Sequence, residues 1–207
     1  MDKVKQNNNS TDLINVIQFI SRRKDNKDVT GYMRRKKTVV SDKPYERHLK
    51  EFEQFVEQGV PGEMSRMYVT INPRSKELLR KALIHELVDD NIDIVNISSK
   101  LASIAMRPEC VSKDVKSRWL FDFDPVDEPG YDIGTHVEQF VEDLQVAFSN
   151  TRGTTGELTV EIHKTVNGYA VIPDKKFYKQ EVLKKYPNVD DNKDMLLYTY
   201  KRKDKEL

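Results

Sequence analysis

Arg118-Trp119-Leu120-Phe121-Asp122-Phe123-Asp124 decides the fold. Successive side chains of a strand point to opposite faces, so a strand here sets Trp119, Phe121 and Phe123 on one side and Leu120, Asp122 and Asp124 on the other. The aromatic side belongs in a core, and the other side then carries two acids beside that core. Downstream, Thr135 and Glu138 have the capping-box spacing ahead of Val137, Phe140, Val141, Leu144 and Phe148, which predicts a helix over residues 136–148. Gly153 and Gly156 mark its exit. Two short strands, Leu158–Lys164 and Tyr169–Ile172, follow across Asn167-Gly168, a pair suited to the positive φ of a tight hairpin turn. A helix near residues 176–186 and a strand over Met195–Tyr200 close the run, with Asp190-Asp191 read as a solvated loop between them.

Upstream, alternation over Arg66–Asn72 gives a strand ended by Pro73. Ser75 caps a helix buried through Leu78, Leu79, Ala82, Leu83 and Leu87, and Ile97, Leu101, Ile104 and Ala105 mark another before Pro108. Nearer the N-terminus, Thr11 precedes Leu13, Val16, Ile17 and Ile20 at helical spacing, which predicts an amphipathic helix over residues 11–22. Tyr45, Leu49, Phe52, Phe55 and Val56 predict one more, stopped by Gly59, Pro61 and Gly62. The expected fold class is α+β: a central, mostly antiparallel sheet packed with helices over residues 66–200, a helical and basic segment over residues 1–65, and a charged tail over residues 201–207.

At 207 residues and 37% hydrophobic content, the chain can bury one sizeable core. The 35 basic and 34 acidic side chains nearly cancel, so the molecule lacks the overall basic excess of a non-specific nucleic-acid binder, and any such contact falls to a local patch. The strongest charge asymmetry lies in residues 22–37, where Arg22, Arg23, Lys24, Lys27, Arg34, Arg35, Lys36 and Lys37 face only Asp25 and Asp28. Each could neutralise a phosphate, with Tyr32 between the clusters offering a ring to a base; the same residues also suit a solvated linker. A lone cysteine, Cys110, excludes an internal disulfide and reads as a small hydrophobe. His48, His85, His136 and His163 show no ligand spacing. With a polar start and no apolar run near the ~20 residues of a membrane span, a cytoplasmic protein without membrane contact is expected.

Asp122 and Asp124, at i and i+2, project from one face about 6 to 7 Å apart, a pattern that holds Mg²⁺ or Mn²⁺ in phosphoryl transfer and that also arises wherever a strand enters a turn. Asn167-Gly168-Tyr169 lets backbone approach a ligand, and the adjoining strand sets Thr159, Glu161 and His163 on one face.

In this order, an apolar strand ending Leu-Phe-Asp-Phe-Asp, a helix, a hairpin with Asn-Gly-Tyr and an acid before a final apolar strand resemble the RRM-like palm of archaeo-eukaryotic primases and primase-polymerases, over roughly residues 66–200. The Tyr68–Arg74 segment, with its Ile-Asn-Pro-Arg, also resembles small phage proteins of this layout. The resemblance implies a metal-dependent nucleotidyltransferase acting in nucleic-acid metabolism. Asp122, Asp124 and Asp191 would be its catalytic metal ligands for two Mg²⁺ or Mn²⁺ ions, with Asp190 or Asp194 as substitutes for Asp191. Asn167, Gly168 and His163 would meet a nucleoside triphosphate. The sequence departs from the family at Ala170, where a histidine is expected. Either His163 substitutes for it, or the palm is degenerate and kept for binding, or the position has been altered. The readings from another class are a binding protein that holds nucleic acid through residues 22–37, and an interaction protein that docks a partner through helix 11–22.

Overall fold

Leu13, Ile14, Val16, Ile17, Phe19 and Ile20 are all buried, yet they lie on a strand and not on the expected helix. The computed structural model describes residues 12–89, 97–124 and 131–204; Thr11, the proposed cap, lies outside them. The elements are β1 (Leu13–Ser21), β2 (Arg35–Ser41), α1 (Leu49–Glu57), β3 (Met64–Thr70), β4 (Arg74–Ser75), α2 (Lys76–Val88), α3 (Ile97–Ala105), β5 (Leu120–Phe123), α4 (Ile133–Asn150), β6 (Val160–Lys164), β7 (Tyr169–Pro173), α5 (Gln180–Lys185), β8 (Val189–Lys193) and β9 (Met195–Arg202). The class is α+β, with mostly antiparallel sheets against helices. No described helix is long and apolar enough to cross a membrane.

The chain divides into two units, Met1–Val115 with Tyr198–Leu207, and Lys116–Leu197. Residues 1–65 are therefore not a separate helical segment. The first unit's sheet runs β2-β1-β3-β9, with β4 also on β1. β1 pairs antiparallel with β2 (Ser21↔Arg35 to Asn15↔Ser41) and with β3 (Ile20↔Arg66 to Ile17↔Val69). It is covered on both faces. Phe19 meets Phe52 and Phe55 of α1 at ring distances of 5.5 and 5.9 Å. Ile14 and Val16 join Leu79, Ile104, Ala105 and Cys110 under α2 and α3. A helix over these residues would bury one stripe, whereas a strand between helical layers buries all six apolar side chains, each contributing about 1.5–3 kcal/mol. Burial on both faces is what makes a strand's apolar run look helix-periodic.

The basic stretch is tied into this unit. Arg22 grips Asp25 through Nε–Oδ2 (3.0 Å) and Nη2–Oδ1 (3.2 Å), and Arg66 reaches Asp25 Oδ1 at 2.5 Å. Burial would raise the Asp25 pKa, but the hydrogen bonds from Arg22 and Arg66 outweigh it and hold the carboxyl below the usual range. A depressed folded pKa contributes stability that is present above the unfolded value and lost as pH falls through the folded one. Asp25→Asn is therefore expected to lower stability by about 2 kcal/mol at neutral pH, with the gap closing below about pH 4. Urea melts of both proteins at two pH values check this; a gap that persists unchanged in acid contradicts the ion-pair account.

The second unit runs β5-α4-β6-β7-α5-β8, and its sheet order is β6-β7-β5-β8, with every pair antiparallel. This is the β-α-β-β-α-β arrangement of a split βαβ fold. Phe121 and Phe123 turn to the helices as alternation requires, meeting Phe140 of α4 at 5.2 and 4.6 Å. Trp119 meets Phe177 at 5.3 Å. α4 starts earlier than the capping-box reading: Asp132 is its cap, accepting from Thr135 N, and Thr135 Oγ1 donates to the same carboxylate. Residues 189–193, expected as a loop, form β8, an edge strand held by its pairing to β5.

Candidate functional site

Because Phe121 and Phe123 face the helices, Asp122 projects from the other side of β5, half-buried, and Asp124 is exposed at the strand exit. The register extends this position across the whole sheet. His163 pairs with Ala170, Ala170 with Asp122, and Asp122 with Asp190. Directly paired residues of antiparallel strands share a face, so His163, Ala170, Asp122 and Asp190 form one row over four strands. At about 4.8 Å per strand, His163 stands about 10 Å from Asp122, while Asp190 is its immediate neighbour. Ala170 is buried between them and has no polar group.

Asp191, expected as the third acid, faces the other way. Its Oδ2 lies 2.6 Å from Lys179 Nζ, and that ammonium stands 4.4 Å over the Trp119 ring and 5.4 Å over Phe121, on the helix side of the sheet. A shift of one residue flips every strand side chain to the opposite face, so Asp190 takes the place expected of Asp191. Among the described residues, no three His, Cys, Asp or Glu side chains stand together as a ready metal cluster.

No family model, curated protein or solved structure matches the chain.

His163 Nε2 lies 3.3 Å from Glu161 Oε2, and Arg118 Nη1 donates to Glu161 Oε1 at 3.0 Å, which ties β6 to the segment entering β5. The hairpin loop is wider than expected. Thr165 N donates to the Gly168 carbonyl (2.9 Å) and Gly168 N to Thr165 Oγ1 (3.0 Å), so the turn centres on Val166-Asn167. Gly168 is not among the positive-φ glycines. Its role is close approach: a Cβ there would sit 1.8 Å from the Phe123 carbonyl oxygen. Asn167 is exposed at the tip, and the Gly168 amide is already used by Thr165.

The basic candidates divide. Arg22 is held by Asp25, Arg35 by Glu63 (2.5 Å) and the Phe55 carbonyl (2.8 Å), and Lys37 by Glu51 (3.1 Å). Arg23, Lys24, Arg34 and Lys36 are exposed. The Tyr32 hydroxyl donates to the Ser21 carbonyl at 2.7 Å, which tethers the ring. The partner expected through helix 11–22 loses its basis, since that segment is a buried central strand.

Sequence reasoning missed β8, and so named Asp190 only as a substitute for Asp191. Val189 and Asn188 give only a weak strand signal in a polar run, and the pairing to β5 came from tertiary context. The Arg118–Glu161 link joins residues 43 apart and has no local signature.

Proposed function

We propose that the second unit is a palm-type module for metal-assisted nucleotidyl transfer, with Asp122 and Asp190 as the principal carboxylates and Asp124 beside them. One observation carries the reading: Asp122 and Asp190 are register partners on adjacent strands of a β-α-β-β-α-β sheet, on the face away from the helices. Mg²⁺ commonly takes one or two carboxylates and completes its shell with water and substrate phosphate, so this donor set fits Mg²⁺ or Mn²⁺. Bound there, such an ion would neutralise and polarise a phosphoryl oxygen. The protein's own contribution is positional: β5 is fixed by its aromatic face, and β8 brings its acid alongside.

The test is calorimetric titration of Mn²⁺, with and without a nucleoside triphosphate, into the intact chain and three single variants. Asp122→Asn and Asp190→Asn are expected to weaken binding at least tenfold, while Asp191→Asn leaves it unchanged. Loss in Asp191→Asn with retention in Asp190→Asn would overturn the assignment.

Ala170 favours a second reading, in which the same face binds nucleotide without transferring it. Buried between His163 and Asp122, its methyl group offers nothing to hold an incoming phosphate. Metal and nucleotide binding without primer synthesis or extension is the signature of that reading.

A further inference from the structure

The β1–β2 connection and the C-terminal strand, far apart in sequence, meet at one end of the first unit's sheet. β1 ends where β2 begins, at Ser21↔Arg35. β3 starts there too, since Asn26 Nδ2 donates to the Met64 carbonyl (3.0 Å) and Ile20 pairs with Arg66. β9 finishes beside it: Lys203 N donates to the Glu63 carbonyl (2.8 Å) and Gly62 N to the Lys203 carbonyl (3.0 Å). Four strand ends therefore gather over about 15 Å.

The cations split into two sets at this end. Arg22 and Arg66 are used on Asp25, and Arg35 on Glu63, so the buried acids are satisfied internally. Arg23, Lys24, Lys27 and Arg34 from the connection, with Lys201 and Arg202 from β9, are exposed and ion-pair with no acidic side chain among the described residues, although Arg202 Nη1 donates to the Gly62 carbonyl at 2.7 Å and leaves its other donors for a ligand. Within the two segments the exposed acids are Asp28 and Asp204. Two residues before Arg202, and so on the same face of β9, the Tyr200 ring is 49% exposed, while Tyr198 packs against Tyr45 at 4.6 Å. Exposed cations in two strips with an exposed aromatic ring next to one of them are the elements of a surface that follows a phosphate backbone and stacks a base.

We propose that this end of the sheet is a composite docking surface for single-stranded nucleic acid. The cations of both segments neutralise phosphates, and Tyr200 stacks on a base. Neither segment alone makes the surface. The proposal is independent of the carboxylate site: oligonucleotide binding reads this surface, and Mn²⁺ binding reads the carboxylates.

The experiment is fluorescence anisotropy of a labelled oligothymidylate of about 12 nucleotides, within the site size of such grooves, over a range of salt. Each cation engaged contributes about −0.7 to the slope of log K against log salt. The two double variants, Arg23→Gln/Lys24→Gln and Lys201→Gln/Arg202→Gln, are each expected to flatten the slope by about 1.4 and weaken binding about 25-fold at 0.1 M salt. Tyr200→Ala is expected to weaken binding about tenfold with the slope kept, because stacking carries no counterion. The proposal is overturned if the intact chain does not bind at low salt, or if either double variant binds normally. It is equally overturned if a duplex of the same length is preferred, or if only anionic phospholipid vesicles are bound.

Discussion

Arg74→Ala is expected to destabilise the first unit by about 4 kcal/mol, the sum of a truncated buried side chain and stranded carbonyls. Arg74 is 1% exposed, the largest of the fully buried side chains among the described residues. Its Nε donates to the Ala105 carbonyl at 2.7 Å, its Nη1 to the Asn72 carbonyl, and its Nη2 lies 3.9 Å from Met106 Sδ. Ala105 is the last residue of α3, where helix carbonyls have no partner within the helix, and a cation at that end also meets the negative pole of the helix. Arg74 itself pairs with Ile14 of β1 and bridges to Val111, so it ties strand, helix and following loop together. Arg74→Lys should recover little, because one ammonium cannot reproduce a fork aimed at separate carbonyls. Arg74→Met restores volume without donors and should fall between. Urea midpoints at constant m-value measure all three; an alanine variant within about 1 kcal/mol of the parent would mean that water or another donor serves those carbonyls equally well.

Nothing in the Ile71-Asn72-Pro73-Arg74 segment announces a buried arginine, and this marks where the sequence is legible. Elements that bury one face carried a readable period: Val137, Phe140, Leu144 and Phe148 on α4, Leu79 and Leu83 on α2, and Phe121 and Phe123 on β5. β1 failed the same test because it is covered on both sides, so Leu13, Val16, Ile17 and Ile20 fit a helical template by coincidence of spacing. Its β-branched and aromatic content was the signal that could have decided for a strand. The candidate site was legible on β5, where Asp122 follows from alternation. It was not legible on β8, where Asp190 and Asp191 differ by one residue and only the pairing to Asp122 chooses between them. The basic stretch showed its charge but not its partners. Asp25 claims Arg22 from three residues away, while Glu63 claims Arg35, and Arg66 reaches Asp25, through contacts that depend on where β3 begins.

Gly168→Ala is expected to cost the second unit about 3 kcal/mol, the upper end of overpacking, because what the new methyl meets is backbone. An ideal Cβ at Gly168 lies 1.8 Å from the Phe123 carbonyl oxygen, 3.0 Å from its carbonyl carbon and 3.3 Å from Ile133 Cδ1. A side-chain tip could swing away, but the carbonyl of a central strand cannot, so relief requires β7 to draw back from β5. That movement would pull Ala170 and Asp122 out of register and should weaken Mn²⁺ binding as well as stability. Gly153 is the control, for it has φ +88° with nothing near its Cβ position. Gly153→Ala should cost only the backbone conformational penalty, about 1 kcal/mol, with Mn²⁺ binding unaffected. Trp119, the sole tryptophan, is partly buried against this unit's core and reports its unfolding by fluorescence. A Gly168→Ala melt that overlays the Gly153→Ala melt would show that β5 and β7 can separate at little cost, and that the row from His163 to Asp190 is not held rigidly enough to place its carboxylates.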